Sequence, residues 1–154
     1  MIRVYHFTRR QRIARSRDEV FGFFENPLNL EAVTPAFLRF KTLTPPPIQM
    51  AVGALIDYEL RLYGVPIRWR TRIDEFDPPR RFVDTQRRGP YRRWHHAHEF
   101  VEVDDGTLMI DRVEYELPLG PLGSLANTLF VRRSLKQIFD YRRDGVDQMF
   151  HVKH

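Results

Sequence analysis

Apolar and polar positions alternate along most of this chain and change to helical spacing at its end. Residues 2 to 14 read as a first strand, in which Tyr5, Phe7 and Ile13 alternate with Val4, His6 and Thr8, so either face suits a core. Ser16 then precedes Arg17-Asp18-Glu19-Val20, a capping box in which the Ser16 hydroxyl takes the Glu19 amide and Glu19 reaches back to Ser16. Val20, Phe21, Phe23 and Phe24 make the apolar side of a short helix that Asn26-Pro27 stops. A second short helix, Leu28 to Val33, ends before Thr34-Pro35. Neither is long enough to be stable alone, so both must pack on something larger. Phe37 to Leu43 reads as a strand, and Thr44-Pro45-Pro46-Pro47 as a stiff connector unable to join a central ladder.

Two hairpins follow. Leu55 to Leu62 and Ile67 to Phe76 flank Tyr63-Gly64-Val65-Pro66. Pairing Leu62 with Ile67 sets Leu60 against Trp69 and Tyr58 against Thr71 on an apolar side, with Glu59 against Arg70 and Asp57 against Arg72 on a wet one. Asp77-Pro78-Pro79 turns the chain into a strand from Phe82 to Arg87, and Gly89-Pro90 leads to a long strand from Arg92 to Val103. Asp105-Gly106 is the strongest turn signal in the sequence. With Asp104 opposite Thr107, Phe100 faces Asp111, His98 faces Val113, His96 faces Tyr115 and Trp94 faces Leu117.

The last segment, Leu122 to Phe150, reads as one helix. Its apolar residues are Leu122, Leu125, Ala126 and Leu129, then Val131, Leu135, Ile138 and Phe139, and later Val146, Met149 and Phe150. About 29 residues at roughly 1.5 Å each span some 43 Å, enough to cross a small sheet. The apolar phase slips near Arg132-Arg133 and Gly145 interrupts the run, which predicts a bend and two halves burying different faces. The order is strand, two short helices, about six antiparallel strands and one long helix. That is an α+β chain with helices on one face of the sheet, expected to be a single domain over residues 1–154.

Composition narrows the function classes. With no cysteine, disulfides, thiol catalysis and cysteine metal sites are excluded, and a cytoplasmic location is expected. The start, Met1 to Phe7, lacks the apolar core of a signal peptide, and no apolar run is long enough for a transmembrane segment. The net charge is +5, and 22 of the 25 basic residues are arginine, which brings anionic partners into consideration. The arginines are scattered and interleaved with acids, however, which argues for a solvated surface and against nucleic acid.

The face expected to meet the long helix carries Trp94, His96, His98, Phe100, Asp111, Val113, Tyr115 and Leu117, and Asp84 joins it if Phe82, Asp84 and Gln86 point inward. Two histidines and an aspartate in an apolar face need partners. They can satisfy one another structurally, they can orient a ligand in a pocket, or His96-x-His98 with Asp111 can hold a metal. The histidine pair is a weak metal signal, and no metal and no cofactor is expected. His96 or His98, with Asp111 as orienter, are the candidate acid–base residues. No serine lies in a nucleophile context, and there is no phosphate loop or dinucleotide fingerprint.

Several stretches resemble a known superfamily. They are Phe23-Phe24-Glu25-Asn26-Pro27-Leu28-Asn29-Leu30 with Thr34-Pro35, Gly89 through Phe100, Asp111 through Gly120, and Phe139-Asp140-Tyr141-Arg142. Together they resemble the START/Bet v 1-like (SRPBCC, helix-grip) superfamily, in particular its bacterial ligand-binding members related to polyketide cyclases and dehydrases. The resemblance implies a curved antiparallel sheet of six or seven strands around the C-terminal helix, with a cavity for lipids, sterols, quinones or polyketides. It carries over no catalytic motif. The expected activity is binding of a small hydrophobic or amphipathic molecule between sheet and helix. The alternatives are a cyclase or dehydratase using a cavity histidine, and an arginine-rich module for an anionic partner. From the alternation, the expected ligand-binding residues are Tyr58, Leu60, Trp69, Thr71, Phe82, Asp84, Trp94, His96, His98, Asp111, Tyr115, Leu129, Leu135 and Phe139.

Overall fold

A computed structural model describes residues 3–151; Ile2, expected at the head of the first strand, lies outside them. Strand β1 (Val4–Ile13) is followed by helix α1 (Arg17–Phe24), and Ser16 caps it, its hydroxyl oxygen accepting from the Glu19 amide at 3.2 Å. The Glu19 carboxylate returns to the Ser16 hydroxyl, at 3.3 Å, rather than to its backbone amide. The second short helix is a 3₁₀ helix over Pro27–Val33, with Asn26 as its cap. The strand expected over Phe37 to Leu43 shrinks to β2 (Lys41–Thr42), because Ala36–Leu38 coils into a 3₁₀ turn that buries Leu38 and leaves Phe37 exposed.

Five long strands complete the sheet: β3 (Leu55–Leu62), β4 (Val65–Asp77), β5 (Arg81–Arg88), β6 (Arg93–Val103) and β7 (Gly106–Glu116). All seven pair antiparallel in the order β1-β7-β6-β5-β4-β3-β2. The chain closes with α2 (Pro121–Ala126), a π-helical turn over Asn127–Val131, and α3 (Arg132–His151). The fold is α+β: an open seven-stranded sheet with a long C-terminal helical segment and short helices after the first strand.

Both hairpin registers differ from expectation by two residues. Tyr63 and Gly64 take φ of 51° and 79°, forming a two-residue turn of the type that suits strand twist, so Leu62 pairs with Val65. Tyr58 then faces Trp69, Leu60 faces Ile67, and Asp57 takes Arg70, at 2.8 and 3.2 Å, in place of Arg72. Between β6 and β7 the turn is Asp104-Asp105, with Val103 opposite Gly106. Gly106 is needed elsewhere: a Cβ there would lie 2.1 Å from the Ile13 carbonyl, so this glycine serves the close approach of β1. His98 consequently faces Asp111, His96 faces Val113, Trp94 faces Tyr115 and Phe100 faces Met109. A shift of two leaves every side chain on its expected face.

The C-terminal segment departs further. Its first part turns Gly123 and Asn127 inward, while Leu122, Leu125 and Leu129 are 64, 56 and 52% exposed. The π turn inserts an extra residue and rotates the following face, the physical basis of the phase slip seen in the sequence. Beyond it, Leu135, Phe139, Arg142 and Val146 form the buried stripe, and α3 continues through Gly145, which lies against Val33.

Candidate functional site

Between α3 and strands β3 to β6 lies a cavity of about 210 Å³. Its wall is built by alternation: β3 contributes Tyr58 and Leu60, β4 Trp69 and Thr71, β5 Phe82 and Asp84, and β6 Trp94, His96 and His98. Leu135 and Phe139 cover it from α3. The Trp69 indole N–H donates to the Thr71 hydroxyl at 3.1 Å, so these two polar groups of the wall satisfy each other. Tyr91 sits edge-on to Trp69, with ring centroids 5.6 Å apart, and lines the cavity.

Three of the residues expected at the site are not on the cavity wall. Leu129 is on the outer side of the π turn. Tyr115 is buried beside the wall, its hydroxyl donating to Asn127. Asp111 lies beneath the two histidines, 1% exposed. The sequence reading missed Arg142, which lines the cavity and reaches Asp111 at 3.4 Å. Its signal was available: Arg142 falls at helical spacing between Phe139 and Val146, an arginine set in the apolar stripe. Phe24, Leu30, Leu38 and Met50 also reach the cavity, from α1, the 3₁₀ turns and the loop before β3, where no strand alternation could place them.

The histidine–aspartate cluster in this wall is compact. The His96 and His98 rings stack with centroids 3.7 Å apart. His96 Nε2 is 2.8 Å from Asp111 Oδ1, and His98 Nε2 is 2.6 Å from Asp84 Oδ2. The other ring nitrogens look the opposite way: His96 Nδ1 is 3.9 Å from Asp84 Oδ2 and His98 Nδ1 is 3.4 Å from Asp111 Oδ1. Arg142 stands over Phe24 at 4.9 Å and Phe139 at 5.5 Å, so apolar rings hold its charge in place.

Burial pushes the His98 imidazole down to about 4, helped by His96 and opposed by its bond to Asp84. Burial acts to raise Asp111, but the Arg142 charge and the His96 hydrogen bond outweigh it and hold this carboxyl well below the usual range. Asp84 follows the same pattern, lowered by its bond to His98 and by the charges of His96, His98 and Arg142 against the effect of burial. Burial raises Tyr58 and Tyr91, so both remain neutral hydroxyls in the wall.

No protein-family model matches the sequence, and neither does any curated protein sequence. Solved structures do match. Protein CV1439 from Chromobacterium violaceum aligns over 97% of this chain and 99% of its own, with a TM-score of 0.74 at 14% identity. The ginseng major latex-like protein 151 from Panax ginseng aligns over 97% and 99%, with a TM-score of 0.71 at 11% identity. The di-domain ARO/CYC StfQ from the steffimycin biosynthetic pathway matches 96% of this chain, which spans 51% of it, with a TM-score of 0.74 at 13% identity. The chain shares the fold of these proteins, an antiparallel sheet against a long C-terminal helix, which is the helix-grip arrangement. In helix-grip terms, α3 is the gripped helix and the cavity is the space left between it and the sheet. No helix among the described residues is long and apolar enough to cross a membrane.

Proposed function

We propose that this helix-grip protein binds a small apolar or amphipathic molecule, with its apolar body among Tyr58, Leu60, Trp69 and Trp94 and its polar end at Asp84, His96 and His98. The observation that carries this reading is an apolar cavity with one histidine–aspartate cluster among the described residues of its wall. Its volume, about 210 Å³, is below the roughly 300–1,000 Å³ of pockets that enclose drug-sized ligands, so it suits one or two fused rings or one end of a longer molecule. Within the cluster the buried side-chain atoms left without a hydrogen bond are Arg142 Nε and Nη2 and His98 Nδ1, so the guanidinium keeps donors to spare. That favours a ligand head that accepts hydrogen bonds, such as a phenolic or ketone oxygen.

Calorimetric titration with 2-naphthol tests the reading. Wild type is expected to bind it one to one, and Ile138→Trp, which fills the cavity from α3, to weaken binding at least about tenfold while melting no lower. Equal affinity in the two proteins would place the ligand elsewhere and overturn the proposal.

A second reading, an acid–base enzyme of the cyclase or dehydratase kind, draws on one further observation: His96 and His98 both line the cavity and both contact carboxylates. It predicts that His96→Gln or His98→Gln removes turnover while retaining ligand affinity. The arginine-rich alternative has less support. On the sheet surface Arg70 pairs with Asp57, Arg80 with Asp77, Arg81 with Glu75 and Glu99, and Arg93 with Glu114, which makes a mixed surface in place of a basic stripe.

A further inference from the structure

The geometry points to a divalent transition-metal site in the cavity wall, with His96 Nδ1, His98 Nε2 and Asp84 Oδ2 as its three protein ligands. This goes beyond apolar ligand binding and does not depend on it. Among the described residues these three form a cluster whose ligand atoms all lie within 4.8 Å of one another. Zinc bonds of about 2.0–2.1 Å put tetrahedral ligand atoms roughly 3.3 Å apart. The Asp84–His98 contact of 2.6 Å must open and the Asp84–His96 contact of 3.9 Å must close, so the ion requires Asp84 to swing from one ring toward the other.

The groups behind the histidines matter as much as the ligands themselves. A metal-bound imidazole needs its second nitrogen held by an acceptor, which sets the tautomer and aims the lone pair at the ion. Asp111 Oδ1 is that acceptor for His96 Nε2, at 2.8 Å, and stands 3.4 Å from His98 Nδ1, within reach of its proton once the ring adjusts. With both Nε2–H of His96 and Nδ1–H of His98 directed to Asp111, His96 Nδ1 and His98 Nε2 are left to converge beside Asp84. His98 Nδ1 is buried and makes no hydrogen bond, an orphan whose proton, in the tautomer the metal requires, would point to Asp111.

Asp111 is fixed in turn by Arg142, which also tops the cavity beside Phe139. Two carboxylates and one guanidinium leave one formal negative charge among buried groups, which a cation offsets. The open side of the three ligands faces the cavity, so a fourth position would fall to water or to a donor atom of a bound molecule. Two imidazoles and one carboxylate suit zinc, cobalt or ferrous ion over calcium or magnesium.

The test is titration of chelator-treated wild-type protein with Co²⁺ and then Zn²⁺, with no organic ligand present. The site predicts one Co²⁺ per chain with the visible absorption of a low-symmetry nitrogen and oxygen site, displaced by one Zn²⁺, and a higher melting temperature with Zn²⁺. Asp84→Asn and His98→Gln keep size and hydrogen bonding, and each is expected to weaken zinc by well over about tenfold; Asp111→Asn, behind the ligands, by about 10–100-fold. Circular dichroism of the metal-free variants separates a lost ligand from a lost fold. The absence of stoichiometric Co²⁺ absorption in wild type overturns the site without any variant. Folded Asp84→Asn and His98→Gln proteins that bind zinc as wild type does would also overturn it, by placing the ion on surface groups. Neither failure bears on 2-naphthol binding.

Discussion

The two ends of the space between helix and sheet use similar residues, yet one is solid and the other hollow. At the solid end Phe21 and Phe24 of α1 press on Phe82 and Phe100, with Phe21 and Phe100 centroids 5.2 Å apart, and Ile13, Met109 and Val146 close the cluster. At the hollow end Tyr58, Leu60, Trp69, Tyr91 and Trp94 surround open space. Residue size does not explain the contrast, since the hollow end holds both tryptophans. A third layer does. At one end α1 is wedged between sheet and α3. At the other no helix is inserted, and the approach to α3 turns Gly123 and Asn127 inward and Leu122, Leu125 and Leu129 outward. A cavity survives where side chains that could fill it point away.

The largest effect is expected at the solid end. Phe100→Ala removes a ring buried on all sides and should cost about 3–5 kcal/mol. Leu60→Ala, whose methyl groups already border open space, should cost about 2 kcal/mol or less, since fewer contacts are lost. Urea denaturation of the two variants checks the contrast. Equal losses would mean that the ends are equally packed and the cavity is filled in solution.

The border between the ends is electrostatic. Arg142→Met leaves Asp111 buried without its guanidinium and should cost about 3–5 kcal/mol, most of it from the stranded carboxylate. Asp111→Asn on top of Arg142→Met should therefore restore part of the loss, and a double-mutant cycle measures the coupling. Additive losses would show that the two residues are held by packing alone.

This border also shows how far the sequence could be read. Period-two alternation assigns a residue to a face, and that assignment withstands a two-residue slip. Trp94, His96, His98 and Asp111 accordingly share the face expected of them although every cross-strand partner was expected two residues away. Turn chemistry decides partners, and here a glycine in the sequence served a different need: Gly106 makes room for the Ile13 carbonyl. Helical periodicity assigned Leu135, Phe139 and Val146 correctly to the buried stripe but failed for Leu122, Leu125 and Leu129, because a π turn separates the two parts. Arg142 was passed over because a charge in an apolar stripe reads as an interruption until its partner is known, and Asp111 lies 31 positions earlier in the chain. The void itself was an implication of resemblance, since alternation says which residues face inward and not whether they meet.

The smallest effect belongs to a latch on the outer side of α3. Asp140 accepts from Lys136 at 2.8 Å, one turn away, and from Arg9 of β1 at 2.6 Å, tying the middle of the helix to the edge of the sheet. The Lys136 bond first, and then that from Arg9, lower its carboxyl to about 2 from an ordinary 3.8. Because the folded value is the depressed one, the unfolded chain takes up the proton first as pH falls. The latch therefore stabilises fully above about pH 4 and loses that contribution toward about pH 2. Asp140→Asn should be modestly less stable than wild type near neutrality, and the gap should close in acid, where the wild-type side chain is itself protonated. Both bonds are partly exposed, so added salt should narrow the neutral gap as well. Urea midpoints across pH, compared with those of Leu60→Ala, sharpen the contrast between the hollow end and the helix exterior: the Leu60→Ala deficit is one of packing and should not track this titration, whereas an Asp140→Asn deficit that persists unchanged in acid would reassign the latch from charge to shape.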